Sequence, residues 1–342
     1  MRRNVTETVL VTGGTGFVAG WCVVELLERG YAVRTTVRDP AKREAVRRAT
    51  GGGDRLTFAT ADLTGDDGWD AAMAGCDYVL HVASPLGADG HGGPDALTGP
   101  ARDGTLRVLR AATRAGVRRV VMTSSTAAAT PRLASGVSDE TVWTDPDDPN
   151  LTAYRRSKVL AERAAWDFMD AYNGGTTLST VLPVAVFGPL LSPGNASSVD
   201  VIARLLAGRP PVVPRFGFAI VDVRDLADLH LRAMTSPAAA GERFIGAGEF
   251  RWLSEIAETL RSRLGDRAAR VPTRGVPDVA VRALARFVPA LRTLTPLLGR
   301  ELAFSSAKAR RVLGFSPRPA AETVVDCAES LDAAPLAAGR PA

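Results

Sequence analysis

Short apolar runs alternate along the chain with longer stretches whose apolar positions recur at helical spacing. Residues 9–11 are short, partly β-branched and followed by a glycine cluster, which predicts a buried strand. An apolar helical face follows up to Gly30, a residue type that commonly ends helices, and residues 31–37 predict a second strand. The order strand, turn, helix, strand within about thirty residues is typical of a βαβ unit.

The same alternation continues towards the C-terminus. Strands are predicted at residues 56–61, 77–85, 117–126, 181–183 and 216–222, and helices at 44–53, 69–73, 101–115, 154–172 and 199–208. Strands that alternate with helices predict an α/β fold built on a doubly wound parallel sheet of the Rossmann type. Strand 216–222 is expected to return to this sheet, and residues 240–331 are expected to add helices of a smaller C-terminal lobe.

The turn after the first strand carries the pattern G-x-x-G-x-x-A at Gly13, Gly16 and Ala19. In a dinucleotide site the first glycine makes the tight turn, the second lets the backbone approach a pyrophosphate, and the small residue packs helix on strand. The pattern therefore predicts a dinucleotide site, the alternative being a structural turn in another kind of α/β protein. The predicted contacts in this turn are Thr12, Gly13, Thr15, Gly16, Phe17 and Val18.

The end of the second strand indicates which dinucleotide is bound. A fold selective for NAD carries Asp or Glu there to bind the ribose 2′-hydroxyl, whereas a nearby Arg accommodates a 2′-phosphate. Val37 occupies this position and is followed by Arg38 and, at the next helix, Lys42. We therefore expect NADPH or NADP+ as the cofactor, bound by Arg38 and Lys42. The alternative is that Arg38 is a solvated loop residue paired with Asp39.

Acidic and small residues follow the third and fourth strands. Asp62 lies at the end of a parallel strand, where it could bind adenine together with Leu63, or could cap the helix at 69–73. Small residues after the fourth strand would allow a cofactor to lie against the backbone. The predicted contacts there are Val82, Ala83 and Ser84. His81 lies within an apolar strand and is expected to be structural rather than catalytic.

The fifth strand ends in the hydroxyl cluster Thr123, Ser124 and Ser125, and the next predicted helix opens with Tyr154 and Lys158. Thr123 and Ser124 are expected to contact the cofactor. The i, i+4 spacing places the phenol and the ammonium on one helix face. A neighbouring cation lowers the pKa of a tyrosine towards the working range of a general acid. The alternative is a solvated tyrosine beside a surface lysine.

Composition narrows the classes of protein that this chain can belong to. Its 342 residues carry a net charge of +5, mostly on scattered arginines, which does not predict a nucleic-acid site. No run approaches the roughly eighteen apolar residues of a membrane span, and the N-terminus lacks the apolar core of a signal peptide, so we expect no membrane association and a cytoplasmic location. Cys22, Cys76 and Cys327 are odd in number and widely spaced, which predicts neither disulfides nor a metal site.

Several segments together resemble the extended short-chain dehydrogenases/reductases. They are residues 12–17, 36–40, 81–85, 123–125, 154–158, 183–189, 221–227 and 305–315. The Arg38-Asp39-Pro40 segment is similar to the branch of dihydroflavonol 4-reductase, cinnamoyl-CoA reductase and aldehyde reductases. The resemblance implies a catalytic set of Ser125, Tyr154 and Lys158, with Ser124 as the alternative register of the serine.

The resemblance carries two further implications. The nicotinamide is expected to lie against Pro183, Val184 and Val186. The family pattern places an Asn where this chain has Arg107, which puts any support of the site by that Asn in doubt.

These observations predict an NADPH-dependent reductase that transfers a hydride to an aldehyde or ketone. The alternatives are an NAD(P)-dependent sugar-nucleotide epimerase or dehydratase, a 3β-hydroxysteroid dehydrogenase-like enzyme of the same fold, and a non-catalytic NADP-sensing regulator. We expect a small-molecule carbonyl substrate and a monomer or homodimer. The substrate itself is not predicted, because the loops at 86–100, 126–137 and 188–218 can vary on a fixed scaffold.

The predicted division into domains follows from this interpretation. Residues 1–182 are expected to form the NADP-binding Rossmann domain, rejoined by about 219–236. Residues 183–331 are expected to form mainly the substrate-binding lobe, and the tail at 332–342 to be disordered.

Overall fold

The computed structural model describes residues 6–85, 97–131, 136–192, 198–292 and 294–333. Its strands are β1 Thr8–Val11, β2 Ala32–Val37, β3 Leu56–Thr60, β4 Tyr78–His81, β5 Arg119–Thr123, β6 Val137–Ser138, β7 Thr177–Pro183, β8 Ala185–Phe187, β9 Val213–Pro214, β10 Gly217–Asp222, β11 Glu242–Gly246, β12 Phe250–Trp252, β13 Gly275–Val276 and β14 Ala303–Phe304. Its helices are α1 Phe17–Glu28, α2 Arg43–Thr50, α3 Trp69–Met73, α4 Thr98–Arg114, α5 Ala153–Asp170, α6 Val199–Leu206, α7 Val223–Thr235, α8 Leu253–Leu264, α9 Asp278–Leu284, α10 Pro289–Arg292, α11 Ala307–Leu313 and α12 Ala320–Ala333.

Within the described residues, seven strands form the main sheet in the order β3-β2-β1-β4-β5-β7-β11. β1 lies in its interior and pairs in parallel with β2 on one side and β4 on the other. The remaining neighbours in this sheet are also parallel. The predicted doubly wound parallel sheet is thus confirmed, and its strand order reverses between β1 and β4, where such folds bind ligands.

The central strands are apolar on both faces because helices cover both sides of a parallel sheet. Leu10, Val79 and Val120 are fully buried and pack with residues of α3, α4 and α5. Small residues such as Ala112 and Ala161 belong to the same cluster, which lets these helices lie close to the sheet. The short apolar runs of the sequence are therefore core strands.

The chain divides into two compact units. The first takes the chain up to Pro183 and returns for Leu226–Gly246 and Ser305–Phe315. The second takes Val184–Asp225, Ala247–Phe304 and the residues from Ser316 onwards. The main sheet lies in the first unit, and the three-stranded sheet β12-β10-β8 lies in the second. The sequence predicts that the chain rejoins the first domain at about 219–236, whereas the first unit is rejoined by Leu226–Gly246.

The predicted return of strand 216–222 to the main sheet is wrong. This strand is β10, which pairs with β8 in parallel and with β12 in antiparallel orientation. The edge strand of the main sheet is β11, which pairs with β7 in a region predicted to be helical. Both strands are short and partly apolar, so periodicity alone did not distinguish them. The start of β11 is polar, with Glu242 and Arg243, so the sequence shows no apolar run that would predict a strand there.

Other predicted boundaries moved by a few residues. β7 begins at Thr177 rather than at 181. The first half of the strand carries buried hydroxyl residues, including Ser179 and Thr180, so it lacks the apolar run that predicts a strand. Helix α4 begins at Thr98, and α12 continues to Ala333, so the predicted tail begins too early. The rest of the predicted tail and most of the loop at 86–100 lie outside the described residues.

Cys22, Cys76 and Cys327 are buried and free in the structure. Burial raises the pKa of the Cys22, Cys76 and Cys327 thiols. Among the described residues, no helix is long and apolar enough to span a bilayer. The same part of the chain contains no cluster of three His, Cys, Asp or Glu side chains placed to hold a metal ion.

Candidate active site

The glycine turn (residues 12–16) joins β1 to α1 and is anchored to both neighbouring strands. The Thr12 N–H donates to the Leu80 carbonyl at 3.0 Å. The Gly13 N–H donates to Thr36 Oγ1 at 2.9 Å, and the Gly16 N–H donates to the Gly13 carbonyl at 2.8 Å. The turn is therefore held at the carboxyl edge of the sheet, with the start of α1 beside it.

The backbone of this turn has little room for side chains. Gly13 has φ +76°, a left-handed conformation that favours glycine, and a Cβ on it would lie 3.0 Å from Ala83 Cβ. A Cβ on Gly14 would lie 2.4 Å from Thr35 Oγ1. Gly16 is exposed and caps α1 without a side-chain hydrogen bond. The first N–H groups of this helix thus suit an anionic group such as a diphosphate.

Beneath the turn, His81 links β4 to β1 and α4. Thr12 Oγ1 accepts from the Ala83 N–H at 2.9 Å and is hydrogen-bonded to His81 Nδ1 at 3.0 Å. The other ring nitrogen of His81 lies 3.5 Å from Thr105 Oγ1. Burial, with a smaller contribution from the charge of Lys158, lowers the pKa of His81 to about 3. His81 is a neutral link within the core, as expected.

The outer rim (Arg38, Lys42 and Asp62) follows β2 and β3. Arg38 and Lys42 are exposed, while Asp62 is half-buried and accepts hydrogen bonds from the Thr64 N–H at 2.9 Å and the Thr64 hydroxyl at 2.8 Å. These bonds, mainly the backbone one, and the charge of Arg38 lower the pKa of Asp62. The alternative that Asp62 caps the helix at 69–73 is wrong, because the N-cap of α3 is Gly68.

Arg107 ties α4 to the loop that carries Asp62 and Leu63. Its Nη1 donates to the Leu63 carbonyl at 2.8 Å, and its Nε donates to Asp66. Gly104 on the same helix lets Leu63 approach, since a Cβ there would lie 2.8 Å from Leu63 Cβ. At the position of the family's Asn, this chain therefore has an arginine that supports the loop after β3.

The two serines after β5 face different partners, because successive side chains of an extended chain alternate in direction. Ser124 Oγ donates to Glu162 Oε2 at 2.6 Å. Ser125 Oγ accepts from the Ala127 N–H at 3.1 Å and is hydrogen-bonded to the Tyr154 phenol. Ser125 thus lies with Tyr154, whereas Ser124 is directed to a buried carboxylate.

Tyr154 and Lys158 lie one turn apart near the start of α5, which Thr152 caps. Tyr154 keeps 38% of its surface exposed, whereas Lys158 is 6% exposed and donates from Nζ to the Thr123 carbonyl at 3.5 Å. Desolvation lowers the pKa of Lys158 to about 8, against the opposing charge of Glu162.

The pKa of Tyr154 differs from the expectation. It lies above the ordinary value, because desolvation outweighs the opposing effect of the hydrogen bond with Ser125. The predicted lowering by Lys158 is thus not found in this structure, where the Lys158 ammonium is directed to a backbone carbonyl.

Thr123 uses its side chain within the core. Its Oγ1 lies 2.7 Å from His230 Nε2, and His230 Nδ1 lies 2.7 Å from the Leu226 carbonyl. A carbonyl can only accept, so Nδ1 carries the proton and Nε2 accepts from Thr123. Burial lowers the pKa of His230 to about 4. The hydroxyls of Thr123 and Ser124, both predicted to bind cofactor, are therefore already engaged by protein groups.

The other predicted cofactor contacts lie after β4, in the glycine turn, at the start of α1, and in or beside β7 and β8. Residues 82–84 are half-buried after β4, Phe17 and Val18 are half-buried at the start of α1, and Thr15 is exposed. Pro183 ends β7 in the first unit, while Val184 and Val186 belong to the second. Their contacts with a cofactor stay predictions.

Sequence reasoning missed Glu162 and Arg243. Glu162 is 0% exposed and pairs with Arg243, itself 7% exposed, at 3.0 Å. The i, i+4 spacing of Lys158 and Glu162 was a signal that both share one helix face. The sequence held no comparable signal for Arg243, which lies on the unpredicted strand β11.

A parallel sheet with a glycine turn at its switch point defines the Rossmann class of dinucleotide-binding proteins. More particularly, the chain belongs to the NAD dependent epimerase/dehydratase family, whose model matches residues 9–245. The predicted resemblance to extended short-chain dehydrogenases/reductases is thus confirmed.

Similar proteins include several reductases. The chain is 39% identical over 267 residues to cinnamoyl-CoA reductase 1 of Petunia hybrida, covering 76% of this chain and 78% of that protein. It is 35% identical over 277 residues to an anthocyanidin reductase of Vitis vinifera, covering 75% and 81%. Among solved structures, Gre2 of Candida albicans in complex with NADPH superimposes with a TM-score of 0.83 at 27% identity, covering 96% and 99%.

Proposed function

We propose that this chain is an NADPH-dependent reductase that transfers a hydride to the carbonyl of an aldehyde or ketone. The observation that carries the proposal is the hydrogen bond between Ser125 and Tyr154, with Lys158 one helical turn further on. The similarity to cinnamoyl-CoA and anthocyanidin reductases supports it. The yeast methylglyoxal/isovaleraldehyde reductase Gre2, solved in complex with NADPH, supports the same function. It is 25% identical to this chain, with a TM-score of 0.80.

The residues of this chain fit NADPH or NADP+. The glycine turn leaves no space for a side chain at Gly13 or Gly14 and presents the start of α1, which suits the diphosphate. Arg38 and Lys42 would bind the 2′-phosphate, and Asp62 with Leu63 would lie at the adenine. Lys158 would bind the nicotinamide ribose. When bound, NADPH supplies the hydride.

The protein residues supply the proton and hold the substrate oxygen. The raised pKa of Tyr154 keeps its phenol protonated at neutral pH, so it can donate its proton to the carbonyl oxygen as negative charge develops there. Ser125 donates a hydrogen bond to the same oxygen. The Lys158 ammonium, whose pKa is about 8, remains largely charged at neutral pH and would donate to a ribose hydroxyl of the cofactor one helical turn from Tyr154.

The proposal is tested by following NADPH absorbance with a panel of carbonyl compounds. The panel should contain aromatic and aliphatic aldehydes, including isovaleraldehyde and methylglyoxal, with hydroxyketones, flavanonols and cinnamoyl-CoA. We expect NADPH oxidation with at least one of them and formation of the matching alcohol or, from the thioester, the aldehyde.

Two outcomes would contradict the proposal. NADPH binding without turnover of any carbonyl would favour the sensing regulator. Tight NAD binding with conversion of a sugar nucleotide would favour an epimerase or dehydratase.

Tyr172→Phe provides a matched control for Tyr154→Phe, because Tyr172 lies just beyond the far end of α5 and stacks on Phe168.

A further inference from the structure

A buried carboxylate lies directly behind the candidate catalytic serine. Glu162 Oε2 accepts from Ser124 Oγ at 2.6 Å, and Glu162 Oε1 accepts from Thr180 Oγ1 at 2.8 Å and from Arg243 Nε at 3.0 Å. Glu162 is 0% exposed. A charge buried so completely must be paired and hydrogen-bonded to remain ionised, and Arg243 supplies the opposite charge.

Arg243 reaches the other end of the serine turn (residues 124–129). Its Nη2 donates to the Ala128 carbonyl at 3.4 Å, and its Nη1 donates to the Glu140 carbonyl at 2.7 Å. The guanidinium also stacks over the Trp143 ring, 3.7 Å from the ring centroid, which restricts its orientation. The ion pair therefore holds the serine turn at Ser124 and again at Ala128, on either side of the residue that meets Tyr154.

The same carboxylate also acts on Lys158. Glu162 follows Lys158 by one turn of α5, and both side chains are buried. The negative charge of Glu162 favours the ammonium form of Lys158 and so opposes the effect of burial. One side chain thus contacts the strand that carries the serine and stabilises the charge of the lysine.

We propose that Glu162, paired with Arg243, is a positioning residue of the active site that fixes the serine turn and keeps Lys158 charged. The inference rests on the proposed function for its effect on turnover. Its effect on Lys158 can be measured without any substrate.

The first test compares two hydroxyl groups that donate to the same carboxylate. Ser124→Ala and Thr180→Val each remove one buried hydrogen bond to Glu162, but only Ser124 lies in the serine turn. We expect Ser124→Ala to lower kcat about tenfold with KM changed little, because a small displacement of Ser125 impairs the chemical step. Thr180→Val should leave kcat within about twofold of wild type. It should lower the melting temperature about as much as Ser124→Ala does, because each variant loses one buried hydrogen bond.

The second test measures the ionisation of Lys158 directly. Lys42, Lys158 and Lys308 are the lysines of this chain, so a protein labelled with 13C-lysine gives few Cε signals, and the Lys158→Met variant assigns the buried one. We expect Lys158 to titrate near pH 8 in the wild type. In Glu162→Gln it should titrate about one pH unit lower, since an opposite charge nearby is removed.

The other groups around Lys158 do not titrate in this range. His81 on β4 has a pKa lowered to about 3, and the pKa of Tyr154 on α5 lies above its ordinary value. A midpoint near pH 8 therefore reports Lys158 itself. Thr180→Val keeps the Glu162 charge and should leave this midpoint unchanged.

Equal kcat losses in Ser124→Ala and Thr180→Val, or no loss in either, would overturn the positioning role. An unchanged Lys158 titration in a folded Glu162→Gln protein would show that Glu162 does not keep Lys158 charged. If Glu162→Gln does not fold, the serine comparison still decides. If the wild type reduces no carbonyl, the proposed function fails, and the lysine titration still tests the effect of Glu162.

Discussion

The interior of the candidate site and its outer rim are built in different ways. In the interior, polar groups are paired across long stretches of chain: Ser124 bonds to Glu162, 38 residues away, and Glu162 to Arg243, 81 residues away. In the outer rim, Asp62 bonds to Thr64, two residues away, and Arg38 is exposed. The interior thus depends on the whole fold, whereas the rim is formed locally at the ends of two strands.

This difference separates the conditions to which each region should respond. Buried groups are little screened by salt but shift their pKa values strongly, so the interior should respond to pH. Exposed charges such as that of Arg38 are screened by salt, so binding at the outer rim should respond to ionic strength.

The largest effect is expected at the interior, from Tyr154→Phe. This change removes the proton donor and keeps the ring, so turnover should fall by about two to four orders of magnitude, as is typical for a general acid. NADPH binding should change little. Ser125→Ala should be comparably harmful and Ser124→Ala milder.

Steady-state rates with the best carbonyl substrate, and NADPH titration by tryptophan fluorescence, measure these effects. Tyr172→Phe should behave like the wild type. Near-normal turnover of Tyr154→Phe, where hydride transfer limits the rate, would show that another group supplies the proton. A larger loss in Ser124→Ala than in Ser125→Ala would shift the serine by one position.

The buried histidines predict acid sensitivity. His81 and His230 have pKa values lowered to about 3 and about 4, against roughly 6.5 in an unfolded chain. Between these values the unfolded chain binds more protons, so their stabilising contribution is complete above pH 6.5 and is lost as pH falls towards 4. Each should lower the free energy of unfolding by about 1.4 kcal/mol per pH unit in this window.

Urea unfolding at pH 7, 6 and 5 measures this dependence. His230→Gln cannot be protonated at this position and should remove about half of the slope, whatever its effect on absolute stability. An unchanged slope in that variant would mean that His230 is protonated in the folded protein.

At the outer rim, Arg38→Ala should weaken NADPH binding by about ten- to a hundredfold, because charge-assisted hydrogen bonds to a phosphate contribute roughly 1.5 to 3 kcal/mol. NADH lacks the 2′-phosphate, so its affinity should hardly change. The salt dependence of NADPH affinity should become flatter.

Calorimetric titration of both cofactors at two ionic strengths tests this prediction. Arg48→Ala, which removes an exposed arginine of α2, controls for a general change in charge. Equal losses for NADPH and NADH would indicate that Arg38 only stacks on adenine. A wild-type preference for NADH would overturn the predicted cofactor.

The smallest effect is expected in the glycine turn. Gly13→Ala places a side chain in a left-handed conformation and 3.0 Å from Ala83 Cβ. The backbone conformation alone should cost about 1 to 2 kcal/mol of stability. Gly99→Ala, in α4 with open space around the new Cβ, should be neutral or slightly stabilising. Chemical unfolding of both variants measures the difference, and equal stabilities would contradict the tight packing of the turn.

The sequence by itself determined the features that depend on neighbouring residues. The glycine turn, the alternation of strands and helices, and the placing of Tyr154 and Lys158 on one helix face all follow from backbone preferences and spacing over a few residues. The parallel sheet could be predicted for the same reason, since the short apolar runs between helices form its strands.

Only the tertiary structure decided which of two adjacent serines meets Tyr154, which of two short strands completes the sheet, and what surrounds Lys158. Ser125 meets the phenol because Ser124 is held by Glu162, and Glu162 is paired with Arg243 of the edge strand β11. These choices depend on contacts between residues far apart in the sequence. Local preference is nearly equal for the alternatives, so burial and the pairing of buried charges select among them.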